Sequence, residues 1–198
     1  MLQTALTTKK LHLGCGRNIL TDWVNLDFVE GPGIDVLANL DDCATTPLPF
    51  EDDVFDEVYA SHLIEHIKNP LPMLQELHRV CADGAKATFR CPHGANDDAF
   101  EDPTHYRQYF ANSFVYFAQP AYWRADYGYR GDWQAETVQL LVNGPKWRNS
   151  APHDLIFAVQ NLRNVVMELV VTMRAIKPIR EAKQELLQIP TPEVVFMD

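Results

Sequence analysis

Three groups of residues have types and spacings that suit chemistry. The first is Gly14-Cys15-Gly16, directly after the apolar run Leu11-His12-Leu13, with Asp27 thirteen residues beyond Gly14. Glycines at such a turn let the backbone approach a ligand closely. An acid ending the next strand can accept both hydroxyls of a ribose, so the pair reads as a nucleotide site. The second group is His62-Leu63-Ile64-Glu65-His66. It matches the H-x-x-E-H string of one zinc peptidase class, whose two histidines must share a helix face. Here the string straddles a strand end, which sets that reading aside. The third group is His93, after Cys91-Pro92, with His105 in Asp102-Pro103-Thr104-His105-Tyr106-Arg107. An imidazole titrating near about pH 6.5 suits a base acting on a hydroxyl or amine.

The elements that must position these residues follow from the apolar pattern. Short strands are predicted over 10–14, 23–28, 34–37, 55–60 and 85–91. A helix begins at Pro70 with Asn69 as its cap. Leu71, Leu74, Leu77 and Cys81 recur along one face, Glu76 and Arg79 fall outside that stripe, and Asp83-Gly84 ends the helix. Strands alternating with helical segments over the first 90 residues argue for a mostly parallel α/β sheet. Ligands bind such a sheet beyond the carboxyl ends of its strands. Asn39-Leu40-Asp41-Asp42 lies at one of those ends and suits an adenine edge. Only seven residues separate Gly16 from Val24, whereas a parallel crossover needs about a dozen. The first crossover helix is therefore truncated. Beyond residue 95 the chain is rich in aromatics. A sixth strand is predicted over 136–142 and a helix over 152–162; residues 165–176 read best as a long apolar strand, although their mixed periodicity also admits a helix, and the tail from Pro178 has no assigned place.

The 198 residues carry 17 basic and 27 acidic side chains, a formal net charge of −10. That length suits one domain. We divide it into a cofactor-binding core (9–94), an aromatic-rich cover on the acceptor side (95–150), a closing helix and strand (151–178) and a tail (179–198). The acidic balance argues against a nucleic-acid partner held through its phosphates. Cys15, Cys43, Cys81 and Cys91 form no C-x-x-C pair and read as reduced thiols of a cytoplasmic protein. The N-terminus has no secretory pattern, and no run approaches the ~20 apolar residues of a spanning helix.

The segments LHLGCGRN, WVNLDF, LPFEDDVFDEVYASHLIEHI and LQELHRVCADGAKATFRCP resemble the class I S-adenosylmethionine-dependent methyltransferases of the small type 11 kind. The likeness spans about residues 9–117. It continues into DPTHYRQYFANSFVYF and NVVMELVVTMRAIKP, similar to a bacterial and phage subgroup of such proteins. The resemblance implies a Rossmann-like, seven-stranded sheet ending in an antiparallel hairpin, with S-adenosyl-L-methionine as methyl donor. It places Gly14, Cys15 and Gly16 beneath the methionine moiety and Asp27 at the ribose, with Phe28 among the donor-binding residues. Asn39, Leu40 and Asp41 fall at the adenine, and Ala60 and Ser61 on the methyl-transfer side. Asn39 stands where such proteins usually carry Asp.

The expected activity is methyl transfer to an O or N atom of a small-molecule or sugar acceptor, with His62, His93 and His105 beside the nucleophile. Two alternatives stay open: a protein that holds the donor or its product without catalysis, and a divalent-metal-assisted O-methyltransferase. In the latter, His62, Glu65 and His66 with His93 or His105 would hold the ion. We assign no metal ligand at this stage, reading Glu65 and His66 as caps bonded to the backbone. A homodimer is one option for the oligomeric state.

Overall fold

The computed structural model describes residues 8–198. The expectation that the N-terminus lacks a secretory leader falls largely on residues 1–7, outside the described residues. Eight strands form one sheet: β1 (Lys10–Leu13), β2 (Val24–Asp27), β3 (Val36–Leu37), β4 (Phe55–Ser61), β5 (Cys81–Pro92), β6 (Trp133–Asn143), β7 (Val166–Ala175) and β8 (Glu193–Met197). Their order is β3-β2-β1-β4-β5-β7-β6-β8. The first five strands pair in parallel, and β7 runs antiparallel between β5 and β6. Among the described residues four α-helices and five short 3-10 turns accompany them; the helices are α1 (Pro70–Val80), the single turns α2 (Asp98–Glu101) and α3 (Gly144–Trp147), and α4 (Pro152–Asn161).

Register explains which face is covered. Leu11 pairs with Val58 and Leu13 with Ala60, then Ala60 with Phe89 and Phe89 with Val171. All are buried, and with Met73, Leu74 and Leu77 of α1 they form the core. Trp133 closes that layer by donating its indole N–H to the Leu74 carbonyl at 2.8 Å. The opposite face is polar. There Lys10 faces Glu57, Thr88 meets Thr172 at 3.1 Å, and Glu136 holds Arg174 at 2.5 Å. Parallel strands usually carry helices on both faces. Here the missing first helix leaves one face bare, and cross-strand pairs of opposite charge satisfy it instead.

Residues 14–23 contain turns and no helix, in agreement with the short spacing from Gly16 to Val24. The Asn25 amide organises that loop. Its Oδ1 accepts from the Leu20 amide at 3.0 Å, and its Nδ2 donates to the carbonyls of Leu20 and Trp23. One side chain thus supplies partners that a helical ladder would otherwise give.

Two features differ from expectation. Residues 193–197 of the tail form β8, which pairs in parallel with β6 and makes an eighth strand. The helix ends at Val80, before Asp83-Gly84, because the Cys81 amide still bonds the Leu77 carbonyl while its own backbone is already extended. Gly84 instead serves a left-handed bend at φ +81° inside β5.

Candidate active site

The carboxyl ends of β1, β2, β4 and β5 lie side by side, and the chain reverses its winding between β1 and β4. This is the switch point where an open α/β sheet receives ligands. Gly14 and Gly16 take left-handed backbone angles, φ +57° and +51°. A Cβ on Gly14 would stand 2.6 Å from Leu63 Cδ1, so the segment after β4 packs directly onto the glycine turn. At Gly16 nothing lies within 4 Å of where a Cβ would be, which leaves that side of the turn open to a ligand.

Asp27 ends β2 and is buried. Its Oδ2 accepts the Gly16 amide at 2.8 Å, and its Oδ1 the Val29 amide at 3.0 Å. Each oxygen keeps a second lone pair, so the carboxylate shapes the turn and can still accept hydroxyls. Phe28 follows it, 72% exposed, an aromatic face beside that carboxylate. Cys15 is buried and donates its amide to the Leu26 carbonyl; burial raises its thiol pKa, and the Asp27 charge adds to this. It is a structural thiol rather than a nucleophile.

Beyond β3, Asn39 caps a helical turn by accepting the Asp41 amide at 3.2 Å. The Asp41 carboxylate accepts the Lys68 amide at 2.9 Å and ties this turn to the approach of α1. Leu40 is buried between them. Ala60 is buried and Ser61 half-buried where β4 ends.

The three histidines occupy different settings. His62 has φ +51°, a strained angle for a non-glycine residue. Its Nε2–H donates to Glu168 Oε1 at 3.1 Å, and Glu65 Oε1 lies 3.4 Å from Nδ1. The Glu168 bond, then the nearby Glu65 carboxylate, raises its pKa to about 10. Glu168 is lowered in turn, first by His62 and also by Arg90, whose Nε donates to it at 2.6 Å. His93 is buried, which lowers its pKa; its Nδ1 accepts the Ala95 amide at 3.2 Å, and its ring stands edge-on to Phe110. His105 lies against His66, ring centroids 4.7 Å apart. Glu65 thus adjoins both His62 and the His66–His105 pair, whereas the contacts just described for His93 run to Ala95 and Phe110.

Leu63, Arg90 and Glu168 were not singled out from the sequence. Glu168 did carry a signal, since it interrupts the apolar run Val165-Val166-Met167 and Leu169-Val170-Val171. Leu63 carried none, because a leucine beside a strand end looks like core.

A sheet wound in this order, with a glycine turn after β1 and an acid ending β2, is the Rossmann-like α/β arrangement of the class I methyltransferase fold. Residues 11–89 match the family model described as a methyltransferase domain. No curated protein matches the sequence. Among solved structures, the chain is similar to a SAM-dependent methyltransferase from Archaeoglobus fulgidus, with 12% identity over 85% of this chain and 87% of that one and a TM-score of 0.58. It is also similar to a putative methyltransferase from Bacillus halodurans, with 13% identity over 87% and 96% and a TM-score of 0.53. A third is the [4+2]-cyclase SpnF, with 13% identity over 85% and 75% and a TM-score of 0.53. At these identities the likeness is one of fold.

Proposed function

We propose that the chain transfers a methyl group from S-adenosyl-L-methionine to an O or N atom of a small-molecule or sugar acceptor. The observation that carries the reading is the arrangement of Gly16, Asp27 and Phe28: an open glycine turn, a carboxylate with free lone pairs and an exposed aromatic ring in one short stretch. When bound, the donor supplies an activated methyl on a positively charged sulfur. Gly14, Cys15 and Gly16 bear its methionine end and Asp27 accepts the ribose hydroxyls. Phe28, Asn39, Leu40 and Asp41 surround the adenine, and Ala60 and Ser61 line the path of the methyl group.

His62, His93 and His105 border the acceptor. Displacement at a sulfonium needs chiefly proximity and in-line alignment, so their work is to place the nucleophile and keep water out. A net charge of −10 supports a neutral or cationic acceptor over a polyanion. Four free cysteines, Cys15, Cys43, Cys81 and Cys91, support a cytoplasmic setting. No helix among the described residues is long and apolar enough to cross a membrane.

The test incubates the protein with methyl-labelled donor and fractionated small metabolites and follows label by mass spectrometry. Transfer to a hydroxyl or amine, with S-adenosylhomocysteine released, is the expected result. Tight donor binding with no transfer to any fraction would identify a binding protein instead.

A further inference from the structure

We propose that Glu65, His66 and His105 form a binding site for one divalent transition-metal ion. Glu65 is only 2% exposed, and neither carboxylate oxygen has a hydrogen-bond partner. His62 Nδ1, 3.4 Å from Oε1, is near enough to attract it and too poorly aligned to bond. A buried carboxylate whose oxygens accept no hydrogen bond is costly, and the neighbouring His62 imidazolium offsets only part of its charge. His105 poses the same problem a few ångströms away, since its Nδ1 is buried and also lacks a partner.

One ion answers both. A ligand atom from each of Glu65, His66 and His105 lies within 4.8 Å of the other two. Donors at about 2.0–2.2 Å from a shared ion must stand within ~4.4 Å of one another, so small side-chain adjustments close the set. The outer contacts are those of metal-binding imidazoles. His66 Nδ1 lies 2.9 Å from Thr104 Oγ1, whose own proton goes to Asp102 Oδ1 at 2.6 Å. His66 therefore donates from Nδ1 and keeps its lone pair on Nε2, the tautomer that such a second contact selects. His105 Nε2 faces the same Asp102 at 3.8 Å, which leaves Nδ1 to ligate.

Two imidazoles and one carboxylate favour Zn²⁺, Mn²⁺ or Fe²⁺ over Ca²⁺ or Mg²⁺, which prefer oxygen ligands throughout. Three protein donors leave coordination positions for water or an acceptor oxygen. The ion would also fasten the loop carrying His105 to the segment after β4, a join already made by the Tyr106 amide on the Glu65 carbonyl at 2.8 Å and by His66 on Thr104 Oγ1.

Metal retention, which does not depend on methyl transfer, is the readout. Untagged protein is stripped with a chelator, dialysed, and titrated with Mn²⁺ or Zn²⁺ by calorimetry, with thermal unfolding in parallel. One ion per chain is expected, together with a raised unfolding temperature. His105→Ala, which alters only a loop residue, should weaken binding at least a hundredfold, and Glu65→Gln should do the same wherever it folds. Failure of the stripped wild-type protein to bind either ion would overturn the site. So would equal affinity in the wild type, His105→Ala and His66→Ala.

Discussion

The Gly16 amide donates to the Asp27 carboxylate at 2.8 Å, joining the loop after β1 to the last residue of β2. A parallel crossover of ordinary length would place a helix after the glycine turn to hold that loop. Here Asp27 and Asn25 hold it from the neighbouring strand, so the acid proposed to bind the ribose is also the strut of the loop beside it.

Replacing Asp27 with Ala removes two charge-assisted hydrogen bonds and the proposed ribose contact. Such bonds are each worth about 1.5–3 kcal/mol. S-adenosylhomocysteine should therefore bind about ten- to hundredfold more weakly by calorimetry, with a modest fall in thermal stability. Unchanged affinity in a folded variant would show that the ribose lies elsewhere.

Gly14→Ala tests the contact between the turn and the segment after β4. The new methyl meets two penalties: a left-handed backbone at φ +57° and Leu63 Cδ1 at 2.6 Å. Together they should cost about 2–3 kcal/mol in urea unfolding. Leu63→Ala opens space, so the same glycine change made in that background should cost only ~1–2 kcal/mol, the backbone share. The difference is the coupling between the two sites. Full additivity would mean that the turn does not depend on Leu63.

The strand frame and the first site residues were legible because they obey local rules. Leu11 and Leu13 alternate, Asn69-Pro70 opens a helix, and a glycine turn precedes an acid at the end of the next strand. What was hidden depends on contacts distant in sequence. Glu76 reads as a solvated position outside the apolar stripe. Yet it is buried, accepts the Leu48 amide at 2.7 Å and holds Arg79, which in turn bonds the Phe50 carbonyl. Residues 194–197 read as an unplaced apolar tail, since a strand on the far side of β6 has no short-range signature. Glu65 looks like a helix cap in the sequence. Only the fold shows its carboxylate shut away between His62 and His105.

Acid should destabilise the protein in a defined window, and His78 is a suitable reporter. It is buried on α1, bonds the Ile176 carbonyl through Nε2 at 3.0 Å and stands edge-on to Trp133. Burial lowers its pKa, the bond to the Ile176 carbonyl opposes this, Lys177 lowers it further, and Asp132 and Asp53 partly raise it, with a net lowering. Above about pH 6.5 the ring is neutral whether folded or not, and contributes no pH dependence. Below that value the unfolded chain takes up the proton first, so stability falls until the lowered folded pKa is passed and then levels off. His78→Gln should flatten part of this slope in urea midpoints measured from pH 7.5 to 5. An identical slope in the variant would assign the dependence to other groups, such as His12 and His93, which are also lowered by burial.

Asp132 and Arg180 give the largest expected effect on stability. Asp132 is 0% exposed immediately before β6 and accepts the Gln119 amide at 3.1 Å. It also accepts the Arg180 amide, Nε and Nη2 at 3.0, 2.8 and 2.7 Å. This pair fastens the segment after β7 to the sheet and carries the chain toward β8. Removing one member of a buried, hydrogen-bonded pair strands the other charge at a cost of about 3–5 kcal/mol. Asp132→Ala leaves the Arg180 guanidinium without a countercharge, with only Gln134 Oε1 at 2.9 Å and the Leu186 carbonyl at 3.4 Å to accept from it. Arg180→Ala leaves a carboxylate with no countercharge, the harsher loss, because Asp132 has no exposure to water. Replacing both residues, Asp132→Leu with Arg180→Met, removes the stranded charge and should recover a substantial part of the single-variant loss. Urea unfolding of the four proteins measures each term. A double variant no more stable than either single one would place the value of the pair in the two backbone amides that Asp132 accepts, since an apolar side chain at that position leaves both of them unsatisfied.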